Sequence, residues 1–157
     1  MIPHHPFNDD LQSALDSDQA YALLPSGSWM EGGCTLLATA LQQLIPNSQL
    51  YSVGRLGEGI PDHTVLCVDI EGEPYYIDYD GLHTGYEMRL KVNHEWNIKN
   101  PTMELADQTL LDSHGMTDYC RSAPALAKII SAQIGPIDSE RLSPAWSEEH
   151  TETHAPS

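Results

Sequence analysis

The chain has 157 residues, which suits one domain with its own hydrophobic core and leaves no room for two. Its 7 basic and 23 acidic residues give a formal net charge of −16, which argues against binding to nucleic-acid phosphates. Solubility is the simplest explanation of the acidic excess. Capture of a basic protein partner by charge complementarity is the sharper alternative, and adaptation to a salty host would give the same balance.

Neither a membrane segment nor a secretion signal is predicted. The chain lacks an apolar run long enough to cross a bilayer, and its first residues lack the basic start and apolar centre of a signal peptide. We therefore expect an intracellular, cytoplasmic protein without membrane contact. The three scattered cysteines form neither a disulfide framework nor a zinc-knuckle spacing, and we expect Cys67 and Cys120 to be buried fillers. No metal and no other cofactor is predicted.

The N-terminal region divides into an arm and the start of a domain. Residues 1–8 contain two prolines and two histidines without periodicity, so we expect a flexible arm there. From residue 8 onward, apolar residues at helical spacing predict a helix, with an extension over 18–24. The pattern predicts a single α+β domain over residues 9–135.

A glycine turn delivers a cysteine to the start of the next helix. Gly32 and Gly33 precede Cys34, and apolar residues then recur at helical spacing until Pro46. At a helix N-terminus the free backbone N–H groups and the helix dipole favour the thiolate, which is the nucleophilic form of cysteine. The plain interpretation, a small apolar residue in the first turn of a core helix, is about as good on position alone.

A β-hairpin is predicted between His63 and Asp80. A short strand over 49–54 comes first, and two apolar runs then flank residues 71–74. Because side chains alternate along a strand, His63, Asp78 and Asp80 share one face in a register with a two-residue turn.

Either carboxylate can then orient the histidine. In the tight register His63 lies opposite Asp80, whereas a slip by two residues places it opposite Asp78. We favour Asp78, because a carboxylate inside an apolar strand needs a partner. Asp80 precedes Gly81 and has a sufficient role in a turn.

The remaining pattern is mostly helical. We expect a helical turn over 86–91 and helices over 102–111 and 117–134, with Trp96 closing the core. Residues 136–157 are polar and acidic, which predicts a mostly disordered tail. The histidines outside the hairpin lie in polar surroundings and are expected to be solvated: His83, His94 and His114.

A cysteine opening a helix, a histidine opening a strand and an aspartate on the next strand resemble the papain-like superfamily. The resemblance covers roughly residues 29–96, and the compact members are the most similar: papain-fold toxins, NlpC/P60-like and transglutaminase-like proteins, some of them from phages. It implies a papain-like α+β fold in which the cysteine-bearing helix packs on a small antiparallel sheet. It also implies C-terminal helices beyond that sheet.

The resemblance implies a role for each residue of the motif. Cys34 becomes the nucleophile, His63 the general base and later acid, and Asp78 the orienting carboxylate. The papain pattern has a glutamine six residues before the cysteine, where this chain has Ser28. The backbone N–H of Cys34 is then the surest oxyanion donor, with Ser28 and Trp29 as further candidates.

These roles predict a thiol-dependent amide hydrolase, either a peptidase or a protein deamidase, that acts on a protein or peptide. Transfer of the acyl group to an amine, as in transglutaminases, stays open. The alternative from another class is a non-catalytic papain-like binding or inhibitor protein with an acidic surface. A third hypothesis is a metal site built from Cys34, His63 and Asp78.

Overall fold

The fold is α+β and is built on a five-stranded antiparallel sheet. This computed structural model describes residues 5–25, 27–30, 32–55, 63–106, 109 and 120–143. The strands are β1 (Gln49–Gly54), β2 (His63–Ile70), β3 (Glu73–Asp78), β4 (Gly81–Thr84) and β5 (Thr102–Leu105). They lie in the order β4-β3-β2-β1-β5. The helices are α1 (Pro6–Leu15), α2 (Asp18–Tyr21), α3 (Cys34–Leu44), α4 (Gly85–Trp96), α5 (Ala123–Ile134) and α6 (Ser139–Leu142).

Helices cover both faces of the sheet. Side chains alternate along β2, so its residues contribute in turn to two different hydrophobic cores. Leu66, Val68 and Ile70 join the larger core with α1, α3 and α5. Val65 joins a smaller core on the other face, under α4. The buried members of the smaller core are Val53, Val65, Tyr76, Met88, Val92 and Ile98. Across the described ranges, no helix has the length and apolarity needed to span a membrane.

The β2–β3 hairpin has the tight one of the two registers that the sequence left open. Leu66 pairs with Ile77 and Ile70 pairs with Glu73, which leaves Glu71 and Gly72 as a two-residue turn. Both turn residues have positive φ, 56° and 84°, as a type I′ hairpin turn requires. The expected strand over 49–54 is confirmed as β1, and the helix expected to begin at Cys34 is confirmed as α3.

One prediction of helix position is wrong, and another is too short. Thr102–Leu105, inside the helix expected over 102–111, is strand β5 and pairs with β1 at the edge of the sheet. Pairing with a preformed strand outweighed the local helical pattern there. The helical turn expected over 86–91 is part of the longer helix α4, which begins with a capping box between Thr84 and Glu87. The expected helix over 117–134 is present as α5 from Ala123, and residues 110–119 lie outside the described part.

Both ends of the predicted domain extend further than expected. Phe7 is fully buried in α1, so the flexible arm over 1–8 is wrong for residues 5–8. His5 donates through Nε2 to the carbonyl of Ser143 at 3.1 Å. Leu142 is buried in the larger core, so the disordered tail over 136–157 is wrong for residues 136–143. Residues 1–4 and 144–157, where the rest of the arm and tail was predicted, lie outside the described residues.

Candidate active site

Cys34 is the first residue of α3, and the preceding turn is closed around it. The N–H of Gly33 donates to the carbonyl of Ser28 at 2.9 Å. A side chain at Gly33 would collide with the Leu24 side chain and the Ser28 carbonyl, because a Cβ there lies 2.5 and 2.8 Å from them. Gly33 offers no side-chain cap to the helix N-terminus, and Cys34 is 8% exposed. Cys34 therefore opens a helix whose first backbone N–H groups no capping side chain occupies.

His63 begins β2, and its ring is held between an acid and an aromatic side chain. Nε2 lies 3.0 Å from Oδ2 of Asp78, at the end of β3. The ring also stacks on Trp96 at the end of α4, with centroids 4.8 Å apart and planes at 30°. His63 is completely buried. Because a carboxylate only accepts, the bond to Asp78 places a hydrogen on Nε2 and leaves Nδ1 as the other, basic nitrogen of a neutral ring.

The contact between His63 and Asp78 is diagonal in the tight register. The chain turns at Tyr79 and Asp80 into β4, so β3 ends at Asp78. This turn directs Asp80 to Lys91 rather than to His63. Asp78, one step along the same face, is therefore the carboxylate that reaches the imidazole.

Asp78 is the centre of a buried polar network. Its exposed fraction is 2%, and its carboxylate accepts four hydrogen bonds. Oδ2 accepts from His63 at 3.0 Å and from Nζ of Lys91 at 2.7 Å. Oδ1 accepts from Nε2 of His83 at 2.8 Å and from the backbone N–H of Asp80 at 3.0 Å. Burial disfavours the charge, but the bonds from His63 and His83 outweigh it and hold the pKa of Asp78 well below its usual range.

Cys34 and His63 shift each other toward the charged forms. Burial opposes both charges, but the bond to Asp78 and the interaction with Cys34 raise the pKa of His63 to about 9. Burial likewise favours the neutral Cys34 thiol, yet the interaction with His63 outweighs it and lowers the pKa of Cys34. Among the described residues, Nδ1 of His63 has no partner at full hydrogen-bond geometry.

Two residues of the network were not predicted from sequence. His83 was expected to be solvated, which is wrong: it is 2% exposed on β4. Lys91 lies on α4 with a 9% exposed side chain and bonds both Asp78 and Asp80. The capping box of α4 was the available signal, since it starts a helix that places Lys91 two turns later. His94 is exposed, as expected, and His114 lies outside the described part.

The side chains of Trp29 and Ser28, the other two candidates for oxyanion donors, make their hydrogen bonds elsewhere. The indole Nε1 of Trp29 donates to the carbonyl of Leu15 at 3.1 Å in the larger core, which contradicts a role for this side chain at the cysteine. Ser28 is exposed, and its hydroxyl accepts the N–H of Met30 at 3.2 Å. Ser28 thus shapes the turn before α3, and the Cys34 backbone N–H keeps its place as the first candidate donor.

The carboxylates near this site suit a lysine better than a metal ion. Potential ligand atoms of Asp78, Asp80 and His83 lie within 4.8 Å of one another. The ammonium group of Lys91 bonds both carboxylates, so it already supplies the positive charge that a cation would bring. Both oxygens of Asp78 are also engaged by the network, which leaves little support for the metal hypothesis with Cys34 and His63.

Comparison with protein-family models, with curated proteins and with solved structures found no match to this chain.

Proposed function

We propose that this protein is a thiol-dependent amide hydrolase of papain-like architecture. In it, Cys34 is the nucleophile, His63 the general base and acid, and Asp78 the residue that orients His63. The observation that carries the proposal is the hydrogen bond of 3.0 Å between Nε2 of buried His63 and Asp78. That bond leaves Nδ1 as the ring nitrogen available to Cys34, which opens the neighbouring helix.

The proposed chemistry begins from the ion pair of the Cys34 thiolate and the His63 imidazolium. The sulfur attacks the amide carbonyl carbon, and the Cys34 backbone N–H stabilises the negative charge on the carbonyl oxygen. As the C–N bond breaks, His63 gives its proton to the departing nitrogen, leaving a thioester on Cys34. His63, now neutral, takes a proton from water as the water attacks the thioester. The carboxylic acid product then leaves, and the Cys34 thiolate is restored.

The papain-like assignment is supported by the arrangement of the elements. The cysteine-bearing helix α3 packs on β2 and β3, and the histidine and aspartate come from these adjacent antiparallel strands. The hydroxyls of Thr35 and Thr64, each next to a proposed catalytic residue, lie 3.0 Å apart and tie α3 to β2. This tie fixes Cys34 and His63 relative to each other, as a preorganised site requires.

Site-resolved alkylation tests the proposed ion pair. Iodoacetamide modification at about pH 6, followed by peptide mass spectrometry, is expected to label Cys34 faster than Cys67, because only thiolates react and a free cysteine has a pKa of about 8.5. Cys67 is the matched internal control: it is more exposed than Cys34, and burial raises the pKa of its thiol.

Variants of the partners make the alkylation test specific. His63→Ala and Asp78→Asn should each move the labelling of Cys34 toward higher pH, whereas Cys120→Ala should not. If the labelling of wild-type Cys34 rises only at or above the pKa of an ordinary thiol, the proposal is contradicted.

The type of amide is tested with a protein mixture as substrate. New peptide N-termini indicate a peptidase, released ammonia with glutamate in place of glutamine indicates a deamidase, and cross-linked amines indicate acyl transfer. Cys34→Ala protein is the control for contaminating enzymes. If no product depends on Cys34, hydrolysis is not the function.

A second candidate is the non-catalytic binding or inhibitor protein with an acidic surface. One observation favours it: Cys34 is only 8% exposed. Two surface cavities of the described chain, of about 390 and 410 Å³, are lined by other residues. Capture of a basic protein with unchanged affinity by Cys34→Ala, together with ordinary thiol reactivity, would favour this function.

A further inference from the structure

Lys91 is a buried cation shared between two carboxylates. Its Nζ donates to Oδ2 of Asp78 at 2.7 Å and to Oδ2 of Asp80 at 2.5 Å. A sulfur of Met30, in the turn before Cys34, lies 3.9 Å from the same nitrogen. Burial opposes the charge, but the two carboxylates outweigh it and raise the pKa of Lys91. Lys91 is therefore a fixed positive charge at all pH values in which the protein is expected to act.

The position of this charge matters because Lys91 and His63 bond the same oxygen. Oδ2 of Asp78 accepts from both, at 2.7 and 3.0 Å. A carboxylate stabilises a protonated imidazole through its negative charge, and a lysine on the same oxygen offsets part of that charge. Lys91 also restricts the rotation of the Asp78 side chain, because Oδ1 is held by His83 at the same time.

We propose that Lys91 is a positioning residue of the Cys34–His63–Asp78 site, which fixes the Asp78 carboxylate and lowers the pH at which His63 releases its proton. The inference rests on the proposed hydrolase function, in which His63 must give a proton to the leaving amine and then act as a base. Without Lys91, Asp78 would hold the His63 proton still more strongly, which would slow its transfer to the leaving amine.

The charged and titratable groups around His63 come from several elements. Cys34 approaches from α3, Asp78 from β3, Asp80 from the following turn, His83 from β4 and Lys91 from α4. Lys91 keeps its charge when His63 titrates, because the two carboxylates raise the pKa of its ammonium group. Removing it must therefore raise the pKa of His63, and removing the negative charge of Asp80 must lower that pKa.

Nitrogen NMR of the His63 ring tests these opposite signs without a substrate. In Lys91→Met, which keeps a similar length without charge, the pKa of His63 is expected to rise by about one unit. Asp80→Asn should lower the pKa of His63, because it removes a negative charge and leaves the ammonium of Lys91 to Asp78 alone. Arg89→Gln is the matched control: it removes one positive charge from the exposed face of the same helix and should cause no shift.

The conservative variant Lys91→Arg separates charge from mere packing and should keep the pKa of His63 near that of the wild type. An unchanged or lowered pKa in Lys91→Met overturns the proposal. If Lys91→Met does not fold, Asp80→Asn decides, since Asp80 is 39% exposed and lies outside the core; a failure to lower the pKa then overturns it. Ordinary reactivity of Cys34 together with the expected shifts would refute the hydrolase but leave the Lys91–Asp78–His63 coupling standing.

Discussion

The two faces of the sheet differ in what holds them to their helices. The larger face packs α1, α3 and α5 through an extended apolar core. The smaller face packs against α4 through a core of six buried apolar residues, two of them on α4 itself, with the polar network around Asp78 beside it. Apolar contacts stabilise without regard to direction, whereas buried charges must keep their geometry to be tolerated. We infer that the larger face contributes most of the stability, and that the smaller face holds His63 and Asp78 of the proposed catalytic site.

Cys34 lies where the two faces meet. It begins α3, which belongs to the larger face, while His63 and Asp78 point to the smaller face with Val65 and Tyr76. A substitution on either face therefore affects the site, but in a different way. Loss of apolar packing lowers the amount of folded protein, and loss of a polar contact changes the reactivity of protein that is still folded.

The largest expected effect separates chemistry from stability at the cysteine. Cys34→Ala should lower amide hydrolysis by about 10³-fold or more, because a nucleophile has no substitute. Its melting temperature should stay close to that of the wild type, since one sulfur is a small loss at a helix start. Product formation in the protein-mixture assay and thermal unfolding measure the two effects. Unfolding of this variant would mean that Cys34 is structural.

A smaller effect distinguishes the cores themselves. Leu41 on α3 and Met88 on α4 are both completely buried, so truncating them gives a matched pair. Leu41→Ala is expected to cost about 3 kcal/mol of unfolding free energy, and Met88→Ala less, because its smaller core can relax more easily. Met88→Ala should instead lower activity per folded molecule, since α4 carries Lys91 and Trp96. Equal losses in urea unfolding, with equal activities, would break the comparison between the faces.

The smallest effect is the pH dependence of stability that the smaller face imposes. The pKa of His63 is raised to about 9 in the folded protein, above the ordinary value of 6.5. Its contribution to stability is therefore complete below pH 6.5 and is lost as the pH rises through about 9. The lowered pKa of Asp78 acts in the opposite direction: its contribution to stability is present near neutral pH and is lost as the pH falls into the acid range.

The lowered pKa of Cys34 gives an opposite change in the same pH range, so the limb of His63 is expected to appear in urea unfolding midpoints of Cys34→Ala. Adding His63→Gln to that variant should flatten the limb. Hydrolysis should fall on the same limb, because the leaving amine then lacks its proton donor. A Cys34→Ala protein with equal stability at pH values well below and well above the raised pKa of His63 would contradict the protonated His63.

Much of the fold and the core of the site were predictable from local signals. The glycine turn and apolar period of α3 depend on residues within one helix, and the Glu71–Gly72 turn sets the hairpin register through its own backbone angles. That register places His63 and Asp78 on one face by parity alone. Cys34, His63 and the pair of candidate carboxylates, Asp78 and Asp80, therefore follow from short-range pattern, and so does the α+β class.

The sequence could not show what surrounds Asp78. His83 looked solvated because polar neighbours in the chain conceal a strand that is buried by tertiary packing. Lys91 looked like an ordinary surface charge, since helix periodicity alone cannot show that α4 rests on the site. The strand at Thr102–Leu105 depends on pairing with β1, about fifty residues earlier, which local propensity does not encode.

By itself, then, the sequence determined the elements whose cause lies within a few residues: the cysteine-bearing helix, the hairpin and the face that His63 shares with Asp78 and Asp80. Only the tertiary structure decided which carboxylate meets His63, because the chain reverses after Asp78 and takes Asp80 to Lys91. It also decided that Asp78 has two imidazoles and an ammonium as partners. The physical reason is that a buried charge is set by every group within a few ångströms, and those groups come from three elements that only folding brings together.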